Sequence, residues 1–114
     1  MNPFARSDRV GGLIQQVLSE ILNKDIGDPR LKMATITAVE VSRDLRLARI
    51  YFTTPGGKQK KDAAIEGFNS ARGFIKKALA QEIDLKYMPD IKFSYDESLE
   101  YGAHIEALIK STKN

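Results

Sequence analysis

The 114 residues suffice for one domain and fall short of two ordinary ones. Hydrophobic residues make up 42% and charged residues 29%, the balance of a folded soluble chain, and the lack of cysteine excludes disulfides and thiolate metal sites. The net charge of +3 is uneven: residues 1–61 hold 11 Lys/Arg against 6 Asp/Glu and residues 62–114 hold 7 against 9, which predicts one positive face suited to phosphate.

In chain order, Val10, Leu13, Ile14, Val17, Leu18, Ile21 and Leu22 recur at the three-and-four spacing of one helical face. Ser7 or Asp8 is placed to cap that helix, and Gly11-Gly12 weakens its first turn. Asn23 to Arg30 ends it, with Gly27 and Pro29 as breakers. Met33 to Ser42 reads as a strand rich in Thr, Val and Ile, Arg43-Asp44-Leu45 as a turn, and Leu47 to Thr53 as a second strand. So short a link implies an antiparallel hairpin.

Pro55 to Lys61 reads as an exposed basic loop. From Lys61 to Ile83 the apolar positions Ala64, Ile65, Phe68, Ala71, Ile75, Leu79 and Ile83 keep a helical period, interrupted in composition at Ser70-Ala71-Arg72-Gly73. A flexible residue in mid-helix costs about 1 kcal/mol against alanine, so the break calls for a packing or functional reason. Asp84 to Asp90 is a loop, Ile91 to Tyr95 a third strand, and Ser98 to about Lys110 a final acidic helix. A three-stranded sheet covered by helices on one face is the simplest two-layer solution, within one α+β domain spanning 1–114. Its core is expected over about 7–96, with the final helix and tail over 97–114.

No apolar run approaches the roughly 20 residues of a membrane span. Met1 to Arg6 lacks the apolar stretch of a signal peptide, so a cytoplasmic protein is expected. Catalytic signals are sparse. His104 is the single histidine, near Glu100 and Glu106, and a lone histidine without metal-ligating partners reads as a surface or packing residue. Asp96-Glu97 and Glu100 suit a helix N-terminus, where the dipole favours carboxylates. Pro55-Gly56-Gly57-Lys58 lacks the spacing of a phosphate-binding loop. No catalytic residue, metal or cofactor is therefore expected.

Basic residues carry the functional reading. Arg6 and Arg9 open the first helix, and Arg43, Arg46 and Arg49 surround the hairpin. Lys58, Lys60 and Lys61 follow in the next segment, and Arg72, Lys76 and Lys77 flank the break. Guanidinium groups bind phosphate as a fork, and each neutralised phosphate releases counterions. The expected RNA-binding set is Arg6, Arg9, Arg43, Arg46, Lys58, Lys60, Lys61, Arg72, Lys76 and Lys77. Tyr51 is the one sheet aromatic off the apolar periodicity and the candidate base-stacking platform.

Together the segments Arg9-Val10, Asp28-Pro29-Arg30, Thr37 to Leu45 continuing through Ala48-Arg49-Ile50-Tyr51, Ala71 to Ile75, Leu79-Ala80, and Pro89 to Phe93 with Asp96-Glu97-Ser98 resemble the bacterial ribosome-binding factor A family over nearly the whole chain. The resemblance implies a type II KH-like fold ordered α-β-β-α-kink-α-β, to which the acidic C-terminal helix read from the residues is an addition in the region of the family's variable tail. Ala71-Arg72-Gly73 would be the kink between two helices, standing in place of a Gly-x-x-Gly clamp that this chain lacks. It also implies a non-enzymatic, monomeric factor that binds the free 30S subunit and 16S rRNA. Such a factor assists late maturation, including 5′-end processing, supports growth in the cold, and uses no membrane and no small-molecule substrate. The alternatives are a general KH-like binder of messenger or small RNA, and a small enzyme built on His104.

Overall fold

A computed structural model of the chain describes residues 3–24 and 26–98. Its elements are α1 (Pro3–Lys24), a 3-10 turn (Pro29–Leu31), β1 (Thr35–Val41), β2 (Leu47–Thr53), α2 (Gly57–Glu82) and β3 (Asp90–Tyr95). The sheet order is β1-β2-β3, with β1 and β2 antiparallel and β3 parallel to β2.

Helix α1 buries Val10, Ile14, Leu18 and Ile21, half-buries Val17 and Leu22, and leaves Leu13 43% exposed at the edge of its apolar stripe. It begins four residues before the expected Ser7 cap, with proline at the first helical position, and Ser7 is buried in its second turn. Gly11 does more than weaken the helix. A Cβ there would lie 2.8 Å from the Val39 carbonyl oxygen, so the glycine lets α1 sit close against β1.

Asp28 begins the 3-10 turn by accepting the Arg30 backbone N–H at 2.9 Å, and Leu31 is buried against Gly67 of α2. In β1 the register with β2 shifts between Ile36 and Ala38. That bulge at Thr37 explains how Ile36 and Val39, three apart, both face the core opposite Phe52 and Ile50. The hairpin turn is held by Ser42 and Asp44: the Ser42 hydroxyl donates to Asp44 Oδ1 at 2.7 Å, which also accepts the Arg46 N–H at 3.1 Å. Leu45 carries the turn at φ 61°.

Strand β2 is central and alternates cleanly: Ala48, Ile50 and Phe52 are fully buried, while Arg49, Tyr51 and Thr53 face the other side. Helix α1 packs on β1, α2 packs on β3, and the helices touch each other. The core closes with Phe68 of α2, its ring 4.7 Å from both Phe52 and Phe93. Tyr95 meets Phe52 edge-on at 5.6 Å.

Two expectations are corrected. Residues 57–61 are not loop; they form the first turns of α2. Helix α2 also runs unbroken across Ala71-Arg72-Gly73, so the expected two helices are one. The apolar period explains this, because Ala64, Phe68, Ile75 and Leu79 are all buried in a single register on either side of Gly73. The expected final helix, with Glu100, His104 and Glu106, lies outside the described residues beyond Ser98. Within the described residues no helix is long and apolar enough to cross a membrane.

Candidate nucleic-acid interface

The ten predicted basic residues divide between the two ends of the sheet. Strand β2 advances about 3.3 Å per residue, so its seven residues separate the Arg43–Arg46 turn from the Thr54–Gly57 link by roughly 20 Å. Helix α2 runs back along the sheet at about 1.5 Å per residue, which puts Lys61 and Lys76 roughly 22 Å apart.

The first group gathers at the turn end. Arg6 of α1 and Arg46 of the turn line one cleft of about 610 Å³. Its floor is stitched by the Asp90 N–H donating to the Arg46 carbonyl at 2.9 Å, which ties the start of β3 to the turn. Lys76 of α2 reaches the same place and donates to Asp90 Oδ1 at 2.8 Å. That hydrogen bond, reinforced by the direct charge of Lys76 and by Arg72 at longer range, holds the Asp90 carboxyl below its ordinary range. Arg72 donates to Asn69 Oδ1 at 3.0 Å along its own helix. Arg43 belongs to the same turn, and Arg9 and Lys77 are exposed on α1 and α2.

The second group stands at the opposite end. Gly56 caps α2 at φ 105°, a conformation that favours glycine, and offers no side-chain oxygen to the first amides. Lys58, Lys60 and Lys61 occupy the first turns with no acidic residue in the first turn, against the usual preference of the helix dipole. Lys61 pairs with Glu97 at 2.8 Å and lies 4.6 Å from the Tyr95 ring centroid.

The carboxylates are engaged structurally. Asp96 accepts the Ser98 N–H and the Thr37 hydroxyl, the latter at 2.6 Å across to the bulge of β1. Asp28 accepts a fork from Arg30, with Nη2 to Oδ2 at 2.7 Å. Among the described residues no group of three His, Asp or Glu could hold a metal ion.

The open sheet face carries a charged row in which Glu40 and Lys92 flank Arg49. Tyr51 sits half-buried there between Ala38 and Ser94. A more exposed aromatic was missed in the sequence. Tyr87, in the segment between α2 and β3, is 77% exposed and lines the cleft with Arg6 and Arg46, beside Lys86. The available signal was an aromatic next to a lysine in a segment without apolar periodicity.

These features define a small α+β chain with one sheet face covered and arginine and lysine side chains brought together at one end. The family model for ribosome-binding factor A matches residues 6–109. Ribosome-binding factor A of Desulfosudis oleivorans is 54% identical over 110 residues, covering 96% of this chain and 85% of that protein. The chain therefore belongs to the ribosome-binding factor A family. A solution structure of a putative ribosome-binding factor A from Thermotoga maritima superposes with TM-score 0.72 at 29% identity, over 86% of this chain and 93% of that one. A homology model of the Thermus thermophilus factor, fitted into a cryo-EM map of a 30S complex, gives 0.67 at 21% identity, over 80% and 96%.

Proposed function

We propose that this chain is a non-catalytic assembly factor of the cytoplasm that binds the free 30S subunit through 16S rRNA. It assists late maturation, including 5′-end processing, and supports growth in the cold. The carrying observation is the convergence of Arg6, Arg46, Arg72 and Lys76 around Asp90 at one end of the sheet. Four cations from three elements offer the donor chemistry that a phosphate backbone takes. Family membership and the Thermus thermophilus 30S complex support the ribosomal partner.

Lys76 keeps Asp90 as its partner in the free protein, so phosphate competes for an ammonium group already held in place. The lysines at the start of α2 supply a second contact, for RNA that spans the molecule. Sedimentation of cell extract on a gradient tests the assignment: the protein should co-migrate with free small subunits, and its absence there at low salt would refute the reading. The paired reversal R72E/K76E should weaken that binding while the protein stays folded, its unfolding temperature lowered only by the loss of the exposed Lys76–Asp90 pair. Wild-type affinity should fall steeply with salt, by about 0.7–0.9 log units per log unit of salt for each phosphate neutralised.

A further inference from the structure

We propose that the cleft at the turn end is a site for one unpaired RNA nucleotide, whose base stacks on Tyr87 while its flanking phosphates meet Arg6 and Arg46. This rests on the ribosomal RNA reading above and names what that surface takes. Tyr87 is the most exposed large hydrophobic side chain among the described residues, at 77%, although its neighbours Leu85 and Met88 pack against the core. An aromatic held out on an anchored segment presents a ring at small entropic cost. Lys86 Nζ lies 5.6 Å from the ring centroid on one side, leaving the rest of the ring to a flat partner. The cleft volume of about 610 Å³ falls within the range of small-ligand sites and accommodates a nucleotide.

The chemistry is that of single-stranded recognition: an aromatic platform for a base, with cations beside it for the backbone. A duplex does not fit this arrangement, because its bases are stacked on one another and present no free face. The two carboxylates in the cleft stay ionised, and their charge is offset by Lys76 beside Asp90 and by Arg46 near Asp44. Asp90 is paired with Lys76, and Asp44 Oδ1 is held by the Ser42 hydroxyl and the Arg46 N–H. Both walls are preformed, since Asp90 donates its N–H to Arg46 and the turn is closed by its own hydrogen bonds.

The chain has no tryptophan, so Y87W places a single fluorophore at the platform. Its emission should be quenched by hexaadenylate at low salt and by free small subunits. Binding of free subunits is then measured for Y87L, Y87F and R72E/K76E, with thermal unfolding confirming that each is folded. Stacking predicts that Y87L loses about tenfold or more in subunit affinity and that Y87F, which keeps the ring, recovers most of it. Y87L binding like wild type while R72E/K76E fails would overturn the stacking site and leave the ribosomal reading standing. Equal loss in Y87F and Y87L would also overturn it. Y87W quenched by hexaadenylate in a protein that ignores small subunits would support the nucleotide site and retire the ribosomal partner. Unchanged Y87W emission with hexaadenylate up to about 1 mM, above the usual range of non-specific nucleic-acid binding, would refute the proposal.

Discussion

Replacing Gly11 by alanine should destabilise this protein, although the residue lies within a helix. On propensity alone the change stabilises by about 1 kcal/mol. The new Cβ, however, falls 2.8 Å from the Val39 carbonyl oxygen and 3.6 Å from Val41 Cγ2. Ordinary contact begins near 3.4 Å, so α1 must withdraw from β1 by about 0.6 Å, and the obstructing atom is backbone that cannot rotate away. Forcing a surplus carbon into a packed interface costs about 1–3 kcal/mol. The net loss is then up to about 2 kcal/mol after the propensity gain is subtracted. Gly12 is the internal control, because a Cβ there meets nothing within 4 Å, and Gly12→Ala should stabilise by about 1 kcal/mol. Urea unfolding followed by circular dichroism measures both, and for a chain of this length each kcal/mol corresponds to roughly 4 °C in Tm. If Gly11→Ala proves as stable as Gly12→Ala, the close approach of α1 to β1 is refuted.

Gly73→Ala should raise Tm, since its Cβ meets nothing within 4 Å and the helix continues through it, a gain of about 1 kcal/mol. A drop in Tm would show that the backbone there needs glycine. Phe68→Ala removes the ring between Phe52 and Phe93 and should cost about 3–5 kcal/mol, readable as a large fall in the urea midpoint. Stability should also decline in acid. Asp28, Asp44, Asp90 and Asp96 all have carboxyls held below their ordinary range, by Arg30, Ser42, Lys76 and Ser98 respectively as first cause. The unfolded chain therefore binds protons first, so the contribution is complete above about pH 4 and is lost as pH falls through the folded values. Tm measured from pH 7 down to 3 should drop in that lower interval, and D96N should drop less.

The elements were legible in the sequence wherever burial repeats with a local period. The alternation from Leu47 to Thr53 gave β2 its observed bounds. The three-and-four spacing in α1 identified Val10, Ile14, Leu18 and Ile21 as core. The same logic, applied consistently, also tells against a division of α2, because Phe68, Ile75 and Leu79 hold one register across Gly73. The helix starts were harder to read. Helix α1 starts at Pro3, ahead of the capping types Ser7 and Asp8, and α2 starts after Gly56, which has no side-chain oxygen to mark the beginning.

Composition and charge by themselves determined that this chain is basic in its first half, free of cysteine, and rich in phosphate-binding side chains. Only the tertiary structure decided which of those side chains lie together. It placed Arg6, Arg46, Arg72 and Lys76 around Asp90 and sent Lys58, Lys60 and Lys61 to the far end. It also set Tyr87 in the turn-end cleft with Arg6 and Arg46. The physical reason is the range of the information. A hydrophobic period records burial among neighbours a few residues apart. The meeting of charges from α1, a hairpin turn and α2 depends on strand register and on the parallel return of β3, which no local spacing encodes.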